Sequence, residues 1–467
     1  MRPYVTLLLT ILTGLVCVFA SGCNPFTPAL RDPHPAPLPA TYSLYSQQAA
    51  QPDTRWWQQL GGEELDQLMA TAFSGNFTLR QAWSRVEQAR ATTIITNSSL
   101  WPSLDYDGSA SHQHRYQNDQ RTRTENYALG LASSYELDLW GRLQAETTAQ
   151  SREQQATEED WLTARITLSS EIAGNWINSV ALHQQYAIIA QQITTARHIV
   201  ELTQLRYLKG QATRSDLVER QQELHGFEQT RLELEQNLSQ YRYDLCLLSG
   251  LPPGADLIVN RQQLPELTPL PPLGVPADLL AQRPDIRAAG LRLNKGDWLV
   301  AAARADRLPA LKLTADAGYS SSRFADLFDN WLANLAASIS GPIFDAGARR
   351  AEVAKARAEA DGLLAAYEET VITAVNEVES ALLDEEKIGE QLNAIDLQLE
   401  RRRQSLDNAR IRYLQGDDDY LSYLIVKLSV DTLHRERVQK QRDKLLARVA
   451  LHRALGGTTT DTQNTLR

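Results

Sequence analysis

The segment Arg206-Tyr207-Leu208-Lys209-Gly210 recurs as Arg412-Tyr413-Leu414-Gln415-Gly416, a spacing of 206 residues between the glycines at 210 and 416. The same spacing relates Gly141 to Gly347, Glu146 to Glu352, Glu171 to Glu377 and Gly250 to Gly456. Trp101-Pro102 and Leu308-Pro309 follow it one residue out of step. A fixed period held over so many landmarks means one structural unit written twice. The copies run over residues 56–250 and 276–456, joined by 251–275. The joining stretch carries Pro252, Pro253, Pro265, Pro269, Pro271 and Pro272 and reads as an extended linker.

Each copy has the same coarse pattern: helix, two strands, very long helix, turn, long helix. The first helix is predicted over Glu63 to Leu100 and its copy over Ala277 to Asp306, each stopping before a proline. Period-two alternation then predicts strands at about 103–118 and 125–139, and at about 310–321 and 332–344. These are near the length of about 9–11 residues with which a tilted strand crosses a bilayer. From Gly141 to Tyr207, and again from Gly347 to Tyr413, the pattern is helical. Helices of roughly 60 residues span on the order of 90–100 Å. Apolar positions there alternate in steps of three and four: Ile189, Ile193, Ala196, Val200, Thr203, Tyr207, and then Ile395, Leu399, Arg402, Leu406, Ala409, Tyr413. That is the spacing of a coiled coil.

The first residues carry an address. Arg2 precedes a largely apolar run from Val5 to Ala20, followed by Ser21, Gly22 and Cys23. This reads as a signal peptide over 1–22, with Cys23 resembling the lipidated cysteine of a bacterial lipobox. Asn24 at the next position implies sorting to the outer membrane by the usual rule for such lipoproteins. Residues 23–55 then form a lipidated tether, and 457–467 a loose tail. Cys17 leaves with the leader and Cys23 takes lipid, so Cys246 stands alone and is expected to be a core residue. A net charge of −10 argues against nucleic acid as a partner.

After residue 22 no run of about 18 apolar residues occurs, so a mature chain that spans a membrane must do so with strands. Four strands cannot close a barrel, since closed outer-membrane barrels have about eight or more. Lipid does not tolerate open sheet edges. A spanning barrel therefore needs more than one chain, with the long helices extending from its periplasmic side.

The segments Tyr135-Glu136-Leu137-Asp138-Leu139-Trp140-Gly141-Arg142, Gly341-Pro342-Ile343-Phe344-Asp345-Ala346-Gly347 and Arg283-Pro284-Asp285-Ile286-Arg287, together with the two Arg-Tyr-Leu-x-Gly turns, resemble the TolC-like outer-membrane factors. The likeness is to the lipoprotein branch of tripartite efflux systems and covers nearly the whole mature chain. It implies a mainly α fold with a β-barrel part: a homotrimer whose 12 strands form one barrel continued by a periplasmic α-helical barrel. It implies a periplasmic adaptor and an inner-membrane pump, RND type foremost, as partners, besides outer-membrane lipid. It makes Arg206, Tyr207, Gly210, Arg412, Tyr413 and Gly416 the tip that meets the adaptor. Asp216, Glu219, Asp417, Asp418, Asp419, Ser422 and Ile425 are the candidate periplasmic aperture. The family often has an aspartate nine residues after the second-copy glycine, where this chain has Ile425; an apolar ring there gates by dewetting instead.

The resulting expectation is a passive exit duct for drugs and other toxic small molecules. Metal ions and secreted polypeptides remain alternative cargoes, and a periplasmic coiled-coil scaffold lipoprotein is the alternative of another class. The chain has no Gly-x-Ser-x-Gly, phosphate loop or His-Glu-x-x-His, so neither an enzyme nor a cofactor is expected. No metal site is expected either: His112 and His114, two apart near the end of a strand, read first as surface residues. Trp56 and Trp57 are expected to pack the chain entry onto the body.

Overall fold

A computed structural model describes residues 25–31, 38–44, 55–117, 120–257, 259–267, 269–270 and 273–457. The leader, Cys23 and the tail after 457 lie outside them. The first copy contains α1 (Trp56–Gly75), α2 (Phe77–Ser98), β1 (Ser103–Gln117), β2 (Gln120–Leu137), α3 (Arg142–Leu208) and α4 (Arg214–Leu248). The second contains α5 (Pro284–Ala305), β3 (Ala310–Ser321), β4 (Trp331–Ser340), α6 (Ala348–Gln415) and α7 (Tyr420–Ala454). A 3-10 turn, Pro276–Asp278, and a single helical turn, Leu279–Gln282, precede α5.

The boundaries differ from the sequence reading where local chemistry intervenes. The expected single helix from Glu63 to Leu100 is two helices, because Asn76 adopts extended backbone (φ −63°, ψ 125°). Its side chain then caps α2, accepting from the Leu79 amide at 2.8 Å and donating to the Leu248 carbonyl at 2.8 Å. The first copy's second strand starts at Gln120 rather than 125, a polar extension that alternation does not reveal. β4 stops at Ser340 rather than 344. Gly341 lies so close to Pro309 that a Cβ would sit 2.9 Å from its ring, and Pro342 has no N–H for a ladder. Arg402, at a coiled-coil position, is exposed, whereas Ile395, Leu399 and Ala409 of that series are buried.

The chain divides into two compact units, one of residues 1–34, 84–158 and 287–369, the other of 35–83, 159–286 and 370–467. The first holds all four strands and the helix ends joined to them. Its helix contacts use small side chains: Ala145 with Ala301 and Ala302, and Val300 with Ala356 and Ala360. Gly296 permits this closeness, since a Cβ there would lie 2.9 Å from Leu363 and 3.3 Å from Ala360. The alanine-rich start of α6 and this glycine thus serve one purpose, close backbone approach.

The second unit has a core of large side chains. Trp56, Trp57, Leu65, Met69, Ile172, Trp176, Ile177, Leu245 and Leu445 are buried together, with Trp56 stacked on His452 at 4.8 Å. The Trp176 indole donates to Glu64 at 2.6 Å, which satisfies its one polar atom inside the core. Cys246 is fully buried. The stretch joining the copies is not detached from this core: Leu264 is buried in it, and Leu257, Val259 and Leu267 pack against it. Toward the hairpin ends, α3 packs on α4 through Leu182, Ile189, Ile193 and Leu234. It packs on α7 through Ile199, Leu424 and Leu428.

The duplication is visible as repeated backbone chemistry. Gly250 and Gly456 both have positive φ, at 70° and 90°. Each closes its helix with the same pair of bonds: Gly250 N–H to Leu247 and Leu251 N–H to Cys246, then Gly456 N–H to Arg453 and Gly457 N–H to His452. At Gly250 the demand is double, because an added Cβ would lie 2.1 Å from the Gly75 carbonyl oxygen. Gly250→Ala is expected to cost at least the roughly 1–2 kcal/mol of a left-handed non-glycine residue, plus the clash. A lowered thermal midpoint, with Gly254→Ala as control, checks this; Gly254 has φ +100° but open space around its Cα.

The four strands form one antiparallel sheet in the order β1-β2-β3-β4. The register sorts the side chains. Tyr106 lies opposite Leu131, Leu131 opposite Ala317, and Ala317 opposite Ala333, so these share a face. Leu104, Leu129, Leu311, Leu313, Leu335 and Ile339 stand on the same face by the same register. The other face carries Asp105, Asp107, Glu136, Lys312, Asp316 and Asn334. There Asn334 donates to Asp316 at 3.0 Å and Lys312 lies 3.9 Å from Glu136. At one end of the apolar face Tyr127 meets Phe324 and Tyr319 meets Phe328 edge to face, at 5.6 and 5.3 Å. Trp331, opposite Tyr319, stands at the same end.

Candidate functional site at the hairpin tips

The long helices end in one device used twice. Gly210 N–H bonds the Tyr207 carbonyl at 3.0 Å and Gln211 N–H bonds Arg206 at 2.8 Å. Gly416 N–H bonds Tyr413 at 3.1 Å and Asp417 N–H bonds Arg412 at 2.9 Å. Both glycines have positive φ, 72° and 81°. This double bond is the Schellman cap. It accounts for the glycine of the recurring Arg-Tyr-Leu-x-Gly, which supplies the left-handed position, while the accepting groups are the backbone carbonyls of the arginine and tyrosine.

The return helices begin with acidic caps. Thr213 and Asp216 form a reciprocal capping box, with the Thr213 amide donating to Asp216 at 2.8 Å and the Asp216 amide to the Thr213 hydroxyl at 3.2 Å. The Thr213 amide, then its hydroxyl, hold the Asp216 carboxyl below the usual range. Asp419 caps α7, accepting from the Ser422 amide at 2.8 Å. Asp418 accepts from the Asp419 amide at 2.8 Å and lies 3.3 Å from Arg412.

Sequence alone separates Arg206 from Asp419, and the structure joins them. The Arg206 guanidinium donates to Asp419 at 2.6 Å, tying the tip of the first hairpin to that of the second. Partial burial pulls the Asp419 carboxyl upward, but the Arg206 and Ser422 hydrogen bonds outweigh it and leave it below the ordinary range. Beside this link, Tyr413, Tyr420 and Tyr423 form a chain of ring contacts at 5.1 and 5.8 Å. Of the candidate aperture carboxylates, Asp216, Asp418 and Asp419 are therefore engaged in caps and ion pairs. Glu219 lies 3.9 Å from Arg220. Ile425 is partly exposed on α7, and the Ser422 amide donates to the Asp419 cap. Arg206 and Tyr207 also flank exposed apolar side chains, Leu205 and Leu208, as Arg412 and Tyr413 flank Ile411 and Leu414.

Each copy thus contributes two strands to the sheet and one long helical hairpin with a capped tip. The chain belongs to the outer membrane efflux protein family, whose model matches it twice, over residues 68–251 and 275–457. It is 33% identical over 431 residues to the pyoverdine export outer membrane protein OpmQ of Pseudomonas putida, covering 88% of this chain and 90% of that one. It is 31% identical over 412 residues to the solvent efflux pump outer membrane protein SrpC of Pseudomonas putida, covering 86% of each. Among solved structures, the outer-membrane channel OprN superposes with a TM-score of 0.82 at 27% identity, over 91% of this chain and 98% of that one. The protein is thus an outer-membrane exit duct of an efflux system.

Proposed function

We propose that three copies of this chain close a single barrel of 12 strands, four from each, continued by an α-helical tube built from the paired hairpins. The observation that carries this reading is the sheet itself. Among the described residues β1 and β4 are each paired on one side only, and one face of the sheet carries an apolar band from Leu104 and Leu311 to Tyr127 and Tyr319. In lipid an unpaired edge leaves backbone groups without partners, at several kcal/mol each, so the edges must meet those of neighbouring chains. The apolar face then meets lipid, the aromatic end marks an interface, and the face with Asp105, Asp107 and Asp316 lines the lumen. Cys23 carries the lipid anchor after cleavage at 22, and the two copies occupy 56–250 and 276–456.

The tips are the periplasmic aperture and the adaptor-binding end, with Leu208 and Leu414 offering apolar contact around Arg206, Tyr207, Gly210, Arg412, Tyr413 and Gly416. An inner-membrane pump of RND type supplies the energy. The duct passes small toxic compounds without choosing among them, in keeping with relatives named for pyoverdine export and for solvent efflux. Cross-linking of the detergent-purified protein tests the assembly. A band at three copies is expected, and a chain that stays monomeric at every protein concentration overturns it.

In this duct the Arg206–Asp419 pair is a latch between hairpins. Asp419 has a lowered folded pKa, so its contribution is present above the unfolded carboxyl value of about 3.9 and is lost as pH falls through the folded value. The link between the two hairpin tips is therefore expected to hold at neutral pH and to loosen below about pH 4. Asp419→Asn and Arg206→Ala are expected to raise single-channel conductance at pH 7. Conductance equal to the parent's, at pH 7 in both variants and below pH 4 in the parent, refutes the latch.

A further inference from the structure

His112 and His114 stand at alternate positions of β1, so both imidazoles project from one face. Their Nε2 atoms converge to 2.8 Å, with the rings edge to face at 4.6 Å between centroids. The register sets Glu125 of β2 opposite His112, and its Oε1 lies 3.2 Å from His112 Nδ1. Arg123, opposite His114, holds the same carboxylate. Two Nε2 atoms 2.8 Å apart, with one ring's Nδ1 anchored on a carboxylate, bring together the donors of a metal chelate: the carboxylate fixes the ring and makes it a stronger donor. Without a metal, the same approach is satisfied by one Nε2–H donating to the other ring; an ion displaces that proton.

We propose that His112 and His114 form a chelate for a divalent transition metal, copper(II) foremost, with Glu125 as its supporting carboxylate. Nitrogens 2.8 Å apart subtend an angle of about 85° at an ion about 2.0–2.1 Å from each. That suits adjacent positions of a square or tetragonal site better than a tetrahedral one, and imidazole nitrogens with that geometry favour copper(II) or nickel(II). Two ligands leave the remaining positions to water, in keeping with the exposure of both residues. Among the described residues no cluster of three or more metal-binding side chains exists, so this site is a two-imidazole clip rather than a closed cage.

The location of the clip rests on the barrel reading above. His112 and His114 share the face of Tyr106, Leu129 and Leu131, one and two pleats beyond the level of Ala110 and Tyr127 where the apolar band ends. In the barrel this is the outer surface, past the bilayer on the exterior side. Cargo in the lumen does not meet it, so the clip is a site for external metal and not part of the export path.

The test is copper(II) titration of the full-length protein in detergent, followed by calorimetry and electron paramagnetic resonance. One tight copper per chain is expected, with hyperfine structure from two nitrogens. His114→Gln is expected to weaken binding by at least about tenfold and remove the two-nitrogen signature, and Glu125→Gln to weaken it by about 10–100-fold while keeping that signature. Circular dichroism identical to the parent's confirms that each variant is folded. His225, exposed on α4 and 3.3 Å from Glu228, offers an alternative imidazole; unchanged affinity in folded His114→Gln, or loss of binding in His225→Gln instead, overturns the proposal. Because the readout is metal binding, it is independent of transport, and a failed barrel reading changes the site's location without removing it.

Discussion

Arg448→Ala is expected to destabilise the protein by about 3–5 kcal/mol, because it leaves a carboxylate buried without its partner. Arg448 on α7 and Glu385 on α6 are 3% and 7% exposed. They form two parallel bonds, Nε to Oε2 at 2.8 Å and Nη2 to Oε1 at 2.5 Å, and a third guanidinium nitrogen donates to the Pro269 carbonyl at 3.0 Å. One side chain thus joins both helices of the second hairpin to the linker. The bidentate geometry makes Arg448→Lys a poor replacement, since an ammonium cannot reproduce the fork. The double variant Arg448→Met with Glu385→Leu is expected to recover most of the loss, because no charge is then left buried. Thermal unfolding followed by helical circular dichroism measures all three. A single variant as stable as the parent shows that water reaches the site and that the pair contributes little.

The second large effect concerns the sheet. Leu131→Arg puts a charge in the middle of the apolar face, between Tyr106 on β1 and Ala317 on β3. If the proposed barrel sets this position at the centre of the bilayer, the cost is about 2–4 kcal/mol per chain, incurred once by each copy in the assembly. The variant is expected to be depleted from outer-membrane fractions. Ala132→Arg, one residue along, points to the opposite face, near Asp105 and Asp316, and is expected to insert normally. Equal insertion of both variants contradicts the assignment of faces. Equal failure of both shows that arginine at this level disrupts the strand whichever way it points.

Much of this protein is legible without a structure because its signals are local. The Arg-Tyr-Leu-x-Gly repeat declares a helix end, since a Schellman cap is made entirely within six residues and needs a glycine at one of them. The tandem copy is legible for the same reason: Gly250 and Gly456 repeat the same backbone bonds because the same short segment folds the same way. The long coiled-coil stretches announce themselves by spacing, as Ile189 and Ile193 do in the core between α3 and α4. The polar outer half of the β1–β2 hairpin, where β2 begins at Gln120, is less legible, because alternation fades once a strand leaves an apolar environment.

What sequence leaves open are the pairings between distant residues. Arg206 reads as a docking residue and Asp419 as a cap; only the packing of α3 against α7 brings the two within 2.6 Å. His112 and His114 are visibly two apart, but Glu125 joins them through a register set by the whole hairpin. Arg448 and Glu385 are one charge each among many until two helices bury them together. The physical reason is the same in each case. Caps, turns and periodicity are decided by backbone geometry over a few residues, so the duplication and the order of helices and strands are legible in the sequence, apart from the break at Asn76 that divides α1 from α2. Which charges meet, and which face of each strand is apolar across the sheet, depends on burial and register summed over the folded chain, and only the tertiary structure decided those.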